Sequence, residues 1–169
     1  RPGVTRDRLY GQVKVDVYLD DDTVEECGFV LIDTGGFETD DHKFQPFKDN
    51  LVWQQTEYAI KEADLVVMVL DAKDGVHQHD HELLRLIKNE QKPILFVVNK
   101  IDGIEQTDSM WEFFELGIEE AYKISAAHNR GVADLKDIIA ARLAEIPSLQ
   151  SKESSDGNST HVAIIGRPN

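Results

Sequence analysis

Cysteine, proline and positive charge are scarce in this chain. Cys27 is the single cysteine among 169 residues, so no internal disulfide can form and a reducing compartment is expected. Lys and Arg number 18 against 32 Asp and Glu, a net charge of -14. A surface that acidic repels phosphates, which excludes non-specific nucleic-acid binding through this region. No apolar run reaches the roughly 20 residues of a membrane-spanning helix, and the N-terminus does not read as a signal peptide. The expectation is a cytoplasmic location with no membrane partner. The chain also lacks a complete phosphate-binding loop, since G-x-x-x-x-G-K-[ST] occurs nowhere in it. Yet its last nine residues, "HVAIIGRPN", are an apolar strand ending in glycine, as such a loop begins.

What is present is a globular core: 41% of residues are hydrophobic, enough at this length for one ordinary domain. Leu9, Gly11, Val13, Val15, Val17 and Leu19 alternate with mostly polar residues, a half-buried strand. "DDD" at 20–22 reads as a turn, and "GFVLID" at 28–33 as a second, antiparallel strand. A helical pattern covers about 48–62. "DLVVMVLD" at 64–71 and "PILFVVNK" at 93–100 are continuous apolar runs, as expected of strands buried on both faces. Between them a helix carries Leu83, Leu84 and Ile87 on one side. Ser109-x-x-Glu112 reads as a capping box, "AYKIS" at 121–125 as a short strand. A last helix, with Leu135, Ile138, Ile139, Leu143 and Ile146 on one face, is stopped by Pro147. Repeated βα units imply an α/β fold: a mostly parallel sheet with one antiparallel strand and helices on both faces.

Three motifs follow strands in order. Asp33-Thr34-Gly35-Gly36 is a D-x-x-G: a strand-end Asp can hold Mg²⁺ through water, and the glycine lets a backbone N–H reach a terminal phosphate. Alone it is matched by an Asx turn before two glycines. Asn99-Lys100-Ile101-Asp102 is more specific. A carboxylate can accept from both N1–H and the 2-amino group of guanine, whereas adenine offers no such pair and leaves it unsatisfied. The lysine stem can lie on the base and the asparagine can tie loops together. Ser125-Ala126 follows the last strand, where a backbone N–H can donate to guanine O6. Open α/β sheets bind ligands at the carboxyl ends of their strands, and all three motifs lie there.

These residues, with "PGVTRDR" at 2–8 and "DTGGF" at 33–37, resemble the P-loop GTPases of the TrmE–Era–EngA group. The second "GRPN", placed after one G domain and a linker, is like the EngA-type members, which carry two G domains in tandem and assist large-ribosomal-subunit assembly. The resemblance implies a G-domain fold, GTP or GDP with Mg²⁺, and the ribosomal large subunit as partner of the parent protein. It implies Thr5 and Asp33 as magnesium residues, and Asp33, Thr34, Gly35 and Gly36 around the γ-phosphate. Asn99, Lys100, Asp102, Ser125 and Ala126 would read guanine. Phe37 stands where many small GTPases have a water-orienting glutamine; the group is known for a hydrophobic residue there and for K⁺ supplying transition-state charge. Gly166, Arg167, Pro168 and Asn169 would start the second domain's phosphate loop, with Asn169 matching the potassium-ligating position.

The expected organisation follows from that resemblance. Residues 1–147 would be the first G domain without its own strand 1, phosphate loop and first helix. Residues 148–160, Ser-rich and charged, would be a flexible linker reaching roughly 40 Å. Residues 161–169 would be the first strand and loop start of the second domain. Strand 1 is central in this fold, and two apolar edges left open there need a partner. Residues 161–165 are therefore expected between the strands at 28–33 and 65–70, supplied by the same chain or, in a strand-swapped dimer, by a neighbour. Without the loop lysine this chain by itself is expected to bind nucleotide weakly. The alternatives are a non-hydrolysing interaction module and a metal hydrolase. The last is suggested by "HQHDH" at 77–81, which is better read as a solvated loop with Asp80 as a helix cap.

Overall fold

In a computed structural model, residues 8–18, 24–34, 51–102, 110–146 and 159–166 are described. Thr5, Gly35, Gly36, Phe37, Ser109, Arg167, Pro168 and Asn169 lie outside them, as do the acidic turns at 20–22 and 39–41 and nearly all of the expected linker. Strands β1 (Leu9–Tyr18) and β2 (Val24–Asp33) form an antiparallel hairpin, registered from Leu9 opposite Asp33 to Tyr18 opposite Val24. β2 begins four residues before the apolar run that announces it. The ladder to β1 recruits the polar start, pairing Val24 to Cys27 with Tyr18 to Val15.

Helix α1 (Leu51–Glu62), β3 (Leu65–Asp71), α2 (Gln78–Asn89), β4 (Ile94–Asn99), α3 (Met110–Glu115), β5 (Tyr122–Lys123) and α4 (Val132–Ala144) follow. The last strand, β6 (His161–Gly166), comes from the far end of the sequence. The sheet order is β1-β2-β6-β3-β4-β5, with all pairs parallel except β1–β2. β6 thus fills the central slot, as the edge argument requires. Val30 to Asp33 pair with His161 to Ile164 on one side, and Leu65 to Val69 with Val162 to Gly166 on the other.

Period-2 alternation divides the core between the sheet's faces. Val66, Met68 and Leu70 of β3 and Ala163 and Ile165 of β6 pack with Ala59, Ile60, Leu83, Ile87 and Phe113 of α1–α3. Leu65 and Val67 of β3, Val162 of β6 and Leu95 and Val97 of β4 pack with Ile139, Ala140 and Leu143 of α4. Val162, Ala163 and Ile165 are all fully buried, so β6 is core rather than an appended edge. Fully burying one Val or Ile side chain is worth about 1.5–3 kcal/mol.

The start of β6 is gripped by main chain and carboxylate together. Asp64 N–H donates to His161 O at 2.8 Å, while His161 N–H donates to the Asp64 carboxylate at 2.9 Å. Val30 N–H donates to Thr160 O at 2.7 Å. The hairpin is pinned to α1 by Arg8, whose guanidinium pairs with Glu62 at 3.0 Å and lies over the Tyr10 and Tyr58 rings.

The Glu112 carboxylate accepts from Val76 N–H of the β3–α2 connection at 3.3 Å, while Ser109, its expected capping-box partner, lies outside the described residues. Two local expectations change. β5 is two residues rather than five, because Ser125 leaves the ladder to bridge Arg130 and starts a 3₁₀ turn over Ala126–His128. The expected strand at 64–71 starts at Leu65, because Asp64 serves the β6 clamp.

Candidate functional site

Asp33, Asp71, Asn99 and Gly166 end their strands on one edge of the sheet: Asp33 pairs with Ile164, Val69 with Gly166, and Asp71 with Asn99. Ser125 follows β5 at the same edge. Parallel strands bring these termini together and leave their loops free to carry polar groups.

The β4–β5 side is held by side-chain hydrogen bonds. Asn99 Oδ1 accepts from Lys100 N–H at 2.8 Å and from Ala126 N–H at 3.0 Å, tying the two loops together. Lys100 adopts a left-handed φ of 67°, which turns the chain sharply after the strand. Its ammonium pairs with Asp71 Oδ2 at 2.6 Å. The other Asp71 oxygen accepts from Lys73 N–H at 2.8 Å and Asp74 N–H at 3.3 Å. Burial by itself would raise the Asp71 carboxyl, but these bonds and the Lys100 charge hold it below its ordinary value.

Asp102, the expected guanine reader, has both oxygens engaged. Lys73 Nζ lies 2.5 Å from Oδ2, and Ser125 Oγ donates to Oδ1 at 2.8 Å. The hydrogen bond from Lys73, then that from Ser125, keeps this carboxyl below its ordinary value, so it is an anion at neutral pH. Ser125 is almost wholly buried, which fixes the Oδ1 contact. Gly131, left-handed at φ 71°, comes within van der Waals limits of the neighbouring backbone: a Cβ there would stand 2.9 Å from Lys123 O. That close approach sets the turn from Ser125 into α4.

The β2–β6 side is main chain and glycine. Thr34 N–H and hydroxyl both donate to Ile164 O, at 3.4 and 3.0 Å, so this buried threonine laces β2 to β6. Burial raises the Asp33 carboxyl above its ordinary value, and among the described residues no Lys or Arg pairs with it. Gly166 meets Val69 closely: a Cβ would stand 2.8 Å from its carbonyl oxygen. The glycine therefore lets β6 leave the sheet flush against β3.

The structure thus brings Asn99, Lys100, Asp102, Ser125 and Ala126 into one cluster, and sets Asp33, Thr34 and Gly166 apart at the other end of the same edge. Asp71 and Lys73 are additional members. The turn "DAKDG" at 71–75 directly after a buried strand was the available signal, since it holds the same strand-end position as the motifs. The "HQHDH" stretch starts α2: Asp80, buried, accepts from His77 N–H at 2.8 Å, and the His77 ring contacts Asp74 O at 3.1 Å. Among the described residues no group of three His, Cys, Asp or Glu side chains is placed to hold a metal ion, and no helix is long and apolar enough to cross a membrane.

The chain is similar to GTPase Der of Syntrophobacter fumaroxidans, 42% identical over 99% of its length, and to GTPase Der of a Geobacter species, 40% identical over 99%. It spans about a third of the length of these relatives, 35% and 34%. Among solved structures, translation elongation factor SelB from Methanococcus maripaludis, in complex with the GTP analogue GppNHp, shares the fold. The TM-score is 0.61 over 85% of this chain and 29% of that one, at 21% identity. A family model described as a 50S ribosome-binding GTPase matches residues 1–100, which is more than half of the chain. With strand-end motifs, sheet order and relatives in agreement, the chain belongs to the family of 50S ribosome-binding GTPases.

Proposed function

We propose that the whole protein binds and hydrolyses GTP in the cytoplasm and assists assembly of the large ribosomal subunit, and that this chain supplies its guanine-reading edge. The observation that carries the reading is the Asn99–Lys100–Asp102–Ser125 cluster: an ionised carboxylate set beside the Asn99-tied loops at a strand-end crevice. Guanine N1–H and its 2-amino group would take the two Asp102 oxygens. The Ser125–Ala126 turn would present an amide to O6, and the Lys100 stem would lie along the base.

Asp33 fits a magnesium role, since it is a hard oxygen donor at the phosphate end with no competing cation among the described residues. Thr5 would join it, with Thr34, Gly35 and Gly36 near the γ-phosphate. Bound Mg²⁺ would neutralise charge on the phosphate oxygens. Phe37 cannot orient water. K⁺ held by an asparagine of the Asn169 type is the proposed source of transition-state charge. Gly166 to Asn169 would begin a further phosphate loop. The sequence holds no G-K-[ST], so this chain alone is proposed to bind GDP–Mg²⁺ only weakly. That same observation supports the second reading, an interaction module that does not turn over GTP.

The test is nucleotide titration by calorimetry on the whole protein and its Asp102→Asn variant. Replacing one oxygen by an amide donor should cost at least about tenfold in GDP affinity, the scale of an unpaired group. It should gain binding of xanthosine diphosphate, whose 2-oxo group accepts from that amide. Equal GDP binding by both proteins would end the guanine-reader assignment.

A further inference from the structure

We propose that Lys73 is an internal competitor for the base-reading carboxylate: its ammonium pairs with Asp102 and weakens the hold of that carboxylate on a base. This rests on the reading of Asp102 as the guanine reader. The geometry carries it. A base with two adjacent donors needs both carboxylate oxygens in one plane. One of them, Oδ1, receives the hydroxyl of Ser125 at 2.8 Å, from a side chain buried to 1% exposure that cannot leave. The other, Oδ2, carries the Lys73 ammonium at 2.5 Å, on a side chain that is 49% exposed. His128 Nε2 stands farther off, 3.7 Å from Oδ1, and Arg130 donates to the Asp102 backbone oxygen rather than to the carboxylate. Of the side-chain contacts described for the two oxygens, the lysine's is the exposed one, and it is the one that yields.

Its position is built, not accidental. The Lys73 N–H is held by Asp71 Oδ1 at 2.8 Å, and Asp71 Oδ2 holds Lys100 at 2.6 Å. One carboxylate thus sets the backbone that launches Lys73 and the lysine of the base-reading motif. A displaced Lys73 ammonium stays in the field of Asp71. When the binding-competent form is only a fraction of the population, apparent affinity falls by that fraction. An exposed pair is worth enough to impose about a twofold to fivefold reduction.

The experiment titrates guanosine, an uncharged probe, so that removing a lysine does not change the long-range attraction of a phosphate. Amide shifts of Ala126 and Ala127 are followed by NMR in this chain and in Lys73→Met, Lys73→Arg and Asp102→Asn. Lys73→Met is expected to bind guanosine about twofold to fivefold more tightly at low salt. The gap should close as sodium chloride approaches molar, because salt screens the pair in the unsubstituted chain. Lys73→Arg should behave like the unsubstituted chain. Equal or weaker binding by Lys73→Met at every salt, or an arginine variant that matches the methionine one, overturns the competitor role. Loss of binding in Asp102→Asn alongside that result leaves the guanine reader standing. Undiminished binding in Asp102→Asn overturns the reader and the competitor with it.

Discussion

The two ends of the sheet's carboxyl edge are built by different means. On the β4–β5 side, Asn99, Lys100, Asp102 and Ser125 hold one another through side-chain hydrogen bonds, and Asp71 and Lys73 brace them. On the β2–β6 side, contacts run through main chain, one threonine and one glycine, and the strand itself arrives from the end of the sequence. The β4–β5 side is assembled by groups close in sequence to its strands. The β2–β6 side depends on a long-range strand insertion, so it should fail first when that strand is disturbed.

The largest expected effect comes from removing residues 159–169. The deletion exposes β2 and β3 to water along two central edges and strips Val162, Ala163 and Ile165 from both core layers. The truncated chain should show no cooperative thermal transition by circular dichroism. A sharp, undiminished melt would contradict the central role of β6. Gly166→Ala is a milder probe of the same side. Its Cβ would press on a backbone carbonyl that cannot swing away, and overpacking of this kind costs about 1–3 kcal/mol. Urea denaturation should show that loss, while the Ala126 amide shift stays where it is.

Asn99→Ala attacks the other side. It removes the acceptor shared by Lys100 N–H and Ala126 N–H, and about 1 kcal/mol of stability should go with it. Here the NMR change should centre on Ser125 and Ala126 and leave Ile164 and Ile165 unmoved, the reverse of the glycine variant. The smallest effect is acidic. Asp71 lies below the ordinary carboxylate value of 3.8 in the folded state, so its contribution is complete above that value. It is lost as pH falls further, through the lower folded value. Asp33 is raised and runs the opposite way, its charged form being the disfavoured one. Asp71→Asn should therefore flatten the stability profile below about pH 4, measured by urea midpoints. An unchanged acid limb would show that the Lys100 pair does not contribute.

Much of this was legible in the residues. β3 and β4 announce themselves as continuous apolar runs because both faces are covered. The Asp80 cap was legible because an acid at the third position of a helix has a backbone N–H to satisfy. The early start of β2 was not, since its polar residues are recruited by pairing with β1 rather than by any pattern of their own. The contact of Glu112 with Val76 N–H was not legible for a similar reason, since a neighbouring segment supplies it. Nor was the bond from the Thr34 hydroxyl to Ile164 O, a partner 130 residues away.

By itself the sequence determined the chemistry and its order: a carboxylate after one strand, an Asn-Lys-x-Asp after another, a serine after a third, each placed by hydrophobic periodicity at a carboxyl end. It also determined that a spare apolar strand existed, because 161–165 had no local partner. Only the tertiary structure decided the register of this strand against β2 and β3, and that Lys73 sits on Asp102. Strand pairing and ion pairing between distant residues depend on which surfaces the packed layers bring within a few ångströms. Periodicity along the chain carries no record of that.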